Sequence, residues 1–167
     1  MGVLRRLALA LAIGGLAGGA VADAPTRVAV FDFELLDSSL EGEVLGPNPD
    51  ETRRTERLGD QLRETISAAP GYVVSDIEPV RAQAKRRWLQ RCGACDVAMA
   101  RELEADWSVT GTVQKVSNLI LNINVYVRDV ASGELIQAMS ADIRSNTDQS
   151  WRRGLDWLIR HRLELAP

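Results

Sequence analysis

The stretch WSVTGTVQKVSNLILNINVYVR, residues 107–128, shifts the hydrophobic period of the chain to two. Trp107, Val109 and Val113 alternate with Ser108, Thr110, Thr112 and Gln114. Leu119, Leu121, Ile123, Val125 and Val127 then alternate with Asn122, Asn124, Tyr126 and Arg128. Successive side chains of a strand point to opposite faces, so this spacing predicts strands with one packed and one wet face. Beyond the Ser132-Gly133 turn, Leu135, Met139, Ala141 and Ile143 oppose Ser140, Asp142 and Arg144, which predicts a third strand antiparallel to its neighbour.

Outside this block the period is helical. Downstream, a last helix is expected from near Asn146, with Trp151, Leu155, Leu158 and Leu165 as its core stripe. Asn146 and Gln149 stand three apart, as in a capping box, with Thr147 and Asp148 as alternative caps. Upstream, a helix over residues 96–104 turns Met99 and Leu103 inward. Another follows Pro79, with Val80, Ala84 and Trp88 as its buried stripe. Tyr72, Val73 and Val74 form a short strand after Pro70-Gly71. Leu58, Leu62, Ile66 and Ala69 mark a helix from about Glu51.

Residues 37–50, rich in Ser, Gly, Pro and Asn, read as loop. RVAVFDFELL, residues 27–36, is apolar but for Asp32 and Glu34 and reads as one covered central strand. The order β-α-β-α-α-β-β-β-α predicts a two-layer α/β domain with a mixed five-stranded sheet and helices mainly on one face. The right-handed crossover rule makes the first two strands parallel neighbours or near-neighbours.

The first 22 residues look like a leader. Arg5 and Arg6 precede an apolar run from Leu7, far shorter than the ~20 residues that span a bilayer. Ala20-Val21-Ala22 gives the small-x-small pattern for cleavage after Ala22. The expectation is a Sec-exported chain, a single domain over residues 23–167, and a periplasmic location without a transmembrane anchor. Removing the two leader arginines from 20 basic residues leaves 18 against 23 acidic, a net charge of −5. An acidic exported domain is unsuited to nucleic acid.

Cys92-Gly93-Ala94-Cys95 is the most chemical feature. In an oxidising compartment two thiols this close are expected to pair, fastening the junction between two helices. A redox role is the competing reading, because a C-x-x-C at a helix start lowers a thiol pKa. A thioredoxin-like site, however, needs a strand before the motif, and here a basic helical segment precedes it. Zinc would need two more ligands, and the only histidine, His161, lies far along the chain, so no metal or cofactor is assigned.

Arg81, Lys85, Arg86, Arg87 and Arg91 put five cations on one short helix, either a solvated face or a docking face for an anionic partner or membrane surface. Arg144, Asn146, Asp148, Trp151 and Arg152 cluster at the last helix start, as caps and core or as a site for an anion or partner carboxylate. Asp32 and Glu34 share a strand face and could pair as carboxylates, although strand-end polar positions are the simpler reading. With one histidine and no phosphate loop, no catalytic residues are assigned.

Three stretches resemble the amino-terminal domain of TolB and related CsgG-like envelope proteins: VAVFDF at 28–33, ARELEADWSVTGTV at 100–113, and VRDVASGE at 127–134. Glu104 stands where those domains usually carry glycine. KVSNLIL at 115–121, with Arg144, Asn146, Thr147, Asp148, Ser150, Trp151 and Arg153, resembles more closely a bacterial family of secreted proteins of unknown function. The likeness implies a non-enzymatic periplasmic protein that binds another envelope component, and the residues offer the polar sheet face (Thr110, Thr112, Asn122, Asn124, Tyr126, Arg128) or the last helix as the contact surface. The alternatives are a C-x-x-C redox protein and an accessory or ligand carrier for a periplasmic quinoprotein dehydrogenase system.

Overall fold

The computed structural model describes residues 24–165; the expected leader and its cut after Ala22 lie outside them. Six strands and five helices follow one another: β1 (Thr26–Val30), β2 (Glu34–Asp37), α1 (Leu40–Leu45), α2 (Pro49–Ala68), β3 (Tyr72–Val74), α3 (Glu78–Lys85), α4 (Cys95–Glu102), β4 (Trp107–Ser117), β5 (Ile120–Asp129), β6 (Leu135–Ile143) and α5 (Asp148–His161). The sheet runs β3-β1-β4-β5-β6, with β2 also paired to β4. β1 is parallel to β3 and β4, β2 is parallel to β4, and the β4-β5-β6 meander is antiparallel. The mixed α/β architecture read from the sequence is therefore the observed one, as are the parallel first and second crossover strands.

The sheet has six strands rather than five because residues 27–36 are not one strand. The chain leaves β4 after Phe31, whose N–H donates to the Val109 carbonyl, and rejoins it at Glu34, opposite Thr112. Between them, the Phe33 ring lies over Gly111, where a Cβ would overlap its carbons. Residues 37–50 are not wholly loop either. Ser39 accepts from the Gly42 N–H and caps the short helix α1. The Asn48-Pro49 pair that reads as a breaker instead starts α2, with Asn48 as N-cap and proline in the first turn, where its missing N–H costs nothing.

One face of the sheet carries the larger core. Val28, Val30, Val109, Val113, Ile123, Val125 and Met139 pack beneath Leu58, Leu62 and Ile66 of α2 and Trp151, Leu155 and Leu158 of α5. A smaller cluster on the opposite face joins Ala29 and Phe31 to Val80, Ala84, Leu89, Val97 and Met99. That second layer corrects two expectations. Ser108, Thr110 and Thr112, read as the wet face of β4, are buried under α4 and the segment before it. Trp88, read as core, is 50% exposed, because α3 ends at Lys85 and Leu89 enters the core instead. Leu119, read as a packed strand residue, lies exposed at the β4–β5 turn.

Gly111→Ala should lower stability by about 1–3 kcal/mol through overpacking against Phe33. Urea unfolding should also show that Phe33→Leu relieves part of that cost in the double variant; strictly additive losses would mean the two residues are not in contact.

Candidate functional site

The buried polar centre of the domain is Lys115. Its position in β4 lies on the packed face, in register with Leu121 of β5, and only 1% of its side chain is exposed. Nζ donates to Glu51 Oε1 at 2.7 Å and to Asp37 Oδ2 at 3.1 Å, with Glu41 at 3.8 Å. Glu51, in the first turn of α2, is equally buried and also accepts from the Asn146 side chain. Burial opposes the Lys115 charge, yet the bonds to Glu51 and Asp37 outweigh it and hold the ammonium above its usual value. Asp37 is likewise held below the usual carboxylate value, because bonds from Ser39 and Lys115 overcome its desolvation.

This centre absorbs much of the polar cluster at the start of α5. Thr147 is the cap, accepting from the Ser150 N–H. Asn146 Oδ1 accepts from Arg54 and from the Trp151 indole N–H, and Trp151 is buried. Asp148 takes Arg54 at 2.7 Å and also Arg57, and these bonds lower its pKa despite some desolvation. Asp148, Trp151 and Arg152 line one open cavity with Arg54, Arg57 and Gln61, whereas Arg144 is exposed on a separate depression and Asn146 is turned to Glu51 and Trp151.

The basic segment is only partly helical. Arg81 and Lys85 are on α3; Arg86, Arg87 and Arg91 follow it. Arg81 is paired with Asp32 at 2.6 Å and Glu78 at 2.8 Å, and Lys85 with Glu56 at 2.7 Å. Arg91 lies over the Trp88 ring. Arg86 and Arg87 are exposed and have no carboxylate partner among the described residues. Asp32 and Glu34 do not pair as carboxylates: Asp32 is held between Arg63 and Arg81, while Glu34 Oε1 accepts the Leu89 N–H at 2.6 Å. Burial, the largest influence on Glu34, raises its pKa against the Leu89 and Gln90 N–H groups.

A cavity of about 360 Å³ opens between β2, α2, α3 and this basic segment. Cys92 and Cys95 sit beyond it as a close pair in disulfide geometry, Cα atoms 5.7 Å apart, half-buried against the smaller core. No group of three His, Cys, Asp or Glu residues among those described is placed to hold a metal.

Sequence reasoning missed one surface altogether. Leu40, Val44 and Leu45 of α1 are 74%, 70% and 76% exposed, and Val116, Leu119 and Ile120 of the β4–β5 turn are 58%, 71% and 60% exposed. Asn118 bonds Glu41, and Ser38 donates to the Lys115 carbonyl, so α1 and the turn share one end of the sheet. The reading of 37–50 as loop hid α1, and the strand reading turned Leu119 inward.

The model of a family described as "Protein of unknown function (DUF2380)", DUF3280, matches residues 26–163. No curated protein matches the chain in sequence. Among solved structures, the LpoB C-terminal domain from Salmonella enterica is similar at a TM-score of 0.52 and 12% identity, over 75% of this chain and 87% of that one. Lipoprotein GNA1162 from Neisseria meningitidis gives 0.51 and 18% identity over 74% and 84%. The PelC dodecamer from Paraburkholderia phytofirmans gives 0.51 and 10% over 83% and 89%. At these identities the likeness is one of fold.

Lys115→Ala should cost about 3–5 kcal/mol, because it strands Glu51 as an unpaired buried charge. Lys115→Met with Glu51→Leu should recover most of that loss; a single-variant cost under about 1 kcal/mol would show that the pair is not structural. Because the Asp37 pKa is depressed, its contribution is complete above the ordinary carboxylate value and fades as pH falls through the folded value. Asp37→Asn should therefore flatten the acid limb of a stability profile.

Proposed function

We propose that this chain, which belongs to that family of unknown function, is a non-enzymatic binding protein of the bacterial cell envelope that acts by docking on another envelope protein. The observation that carries the reading is the exposed aliphatic end formed by Leu40, Val44, Leu45, Val116, Leu119 and Ile120. Clustered large aliphatic side chains in water mark contact surfaces, whereas single ones do not. The end is rimmed by Glu41 and Glu43 and carries no aromatic anchor, which favours a protein partner over an anionic lipid surface.

Export by the leader at residues 1–22 would put the chain in the periplasm, where Cys92 and Cys95 would close as a structural disulfide. Their half-buried seat against the smaller core suits that role better than exchange with other thiols. Among the described residues no helix is long and apolar enough to cross a membrane. PelC, of the same fold, is a dodecamer, so the scaffold is compatible with protein–protein contact. Asp32, Glu51, Lys115 and Asp148, side chains that a catalytic reading would want free, are each engaged in ion pairs within the chain.

Leu40→Ser with Leu119→Ser removes two of the six exposed side chains and should change stability by no more than about 0.5 kcal/mol per site. In affinity capture from periplasmic extract, the native chain should retain a partner that the double variant loses. An identical captured set, with unfolding unchanged, would rule out this end as the docking surface.

A further inference from the structure

We propose that the cavity between β2, α2 and α3 is a second site, independent of the aliphatic end, that takes an extended acidic peptide as an added strand on β2. The sheet leaves room for one. β3 covers the outer edge of β1 only from Thr26 to Val28, and after the Ser75 N–H bonds the Val28 carbonyl the chain turns away into α3. β2 continues the line of β1 along β4, and no described strand pairs with its other edge. Ser38 donates its N–H to the Lys115 carbonyl, so even-numbered residues of β2 face β4. By alternation, Leu35 turns its N–H and C=O outward, on the side where Asp32, Phe33, Glu34 and Leu35 line the cavity.

The chemistry of the walls selects the occupant. The floor is apolar: Phe33, Leu35, Ile77, Ala84 and Leu89. At the rim Arg81 and Lys85 are paired with Asp32 and Glu56, whereas Arg86 and Arg87 stand exposed without carboxylate partners among the described residues, beside the half-exposed Trp88. Glu34 already takes the Leu89 N–H through Oε1, and its carboxylate beside the floor disfavours a small inorganic anion there. A peptide strand instead brings neutral amides to the floor and carries its acids at the rim. An added strand presents alternate side chains to opposite faces, so acidic residues would meet the arginines while the residues between them cover the floor. A volume of about 360 Å³ is at the lower end of ligand cavities and admits a few residues.

The test uses the mature chain and a probe labelled with fluorescein at its N-terminus, fluoresceinyl-Gly-Glu-Val-Glu-Val-Glu-amide, followed by anisotropy. Saturable binding that weakens with salt is expected. Arg86→Glu with Arg87→Glu should lower affinity at least about ten-fold with the circular dichroism spectrum unchanged, since both side chains are exposed. N-methylation of the probe at its valine nitrogens should cost a comparable factor, by removing the donors for strand pairing. The Leu40→Ser/Leu119→Ser variant should bind the probe normally, which separates this site from the aliphatic end. The proposal is overturned if the probe does not bind, if the methylated or a lysine-for-glutamate probe binds equally well, or if millimolar inorganic phosphate displaces the probe completely.

Discussion

A single ammonium group ties the ends of four elements together. Lys115 occupies a core-face position near the end of β4, where the hydrophobic layer gives out. Its partners come from the end of β2 through Asp37 and from the first turn of α2 through Glu51, and Asn146 links Glu51 onward to the start of α5. A buried ion pair is a poor source of net stability, because desolvating both charges offsets most of their attraction. Its consequence is registry. β2, α2 and α5 can each slide or tilt only by stranding a charge away from water. This fixes where β2 ends and α1 begins, and so where the exposed end of the molecule lies.

The sheet and the main helices were legible because they rest on burial, and burial leaves periodic traces. The alternation through Val109, Val113, Ile123, Val125 and Val127 and the stripes Leu58-Leu62-Ile66 and Trp151-Leu155-Leu158 read as they fold. The buried lysine had left a trace too. The same alternation puts Lys115 inward with Val113, and extending the α2 stripe back from Leu58 through Thr55 reaches Glu51. Polar residues in core phase on two facing elements are a detectable signal for an internal ion pair, though neither is remarkable alone.

What stayed illegible depends on which face receives a second layer. Ser108, Thr110 and Thr112 look solvent-facing by composition, yet Ala29 and Phe31 of the adjacent strand make that part of the sheet apolar enough to seat α3 and α4. The buried hydroxyls are then accommodated by polar partners from the covering layer: Asp96 accepts from Ser108, and Gln90 donates to Thr110. Farther along, Asn122 and Asn124 of β5 pair with Ser140 and Thr112, so the polar side chains there hold strand to strand before they can meet a partner. A polar sheet face was a reasonable docking surface from the sequence; in the fold Thr110 and Thr112 are internal, whereas Asn122, Asn124, Tyr126 and Arg128 remain half-exposed.

The cysteine pair acquires a specific mechanical role from this arrangement. Gly93 and Ala94, between the two sulfurs, both have positive φ, at 65° and 68°, a reversal that the pair holds closed. A loop this short gains little from restricting the unfolded chain, so the effect is local. The segment before it contains no regular structure, yet it inserts Leu89 into the smaller core, presents the Leu89 N–H to Glu34 and lays Gln90 on Thr110. Leu89 and Glu34 line the cavity beside β2, and the Gln90–Thr110 bond fastens the segment next to them. Closing residues 92–95 at the start of α4 would therefore hold Arg86, Arg87 and Trp88 at the cavity rim, linking the close cysteine pair to the placement of these two unpaired cations.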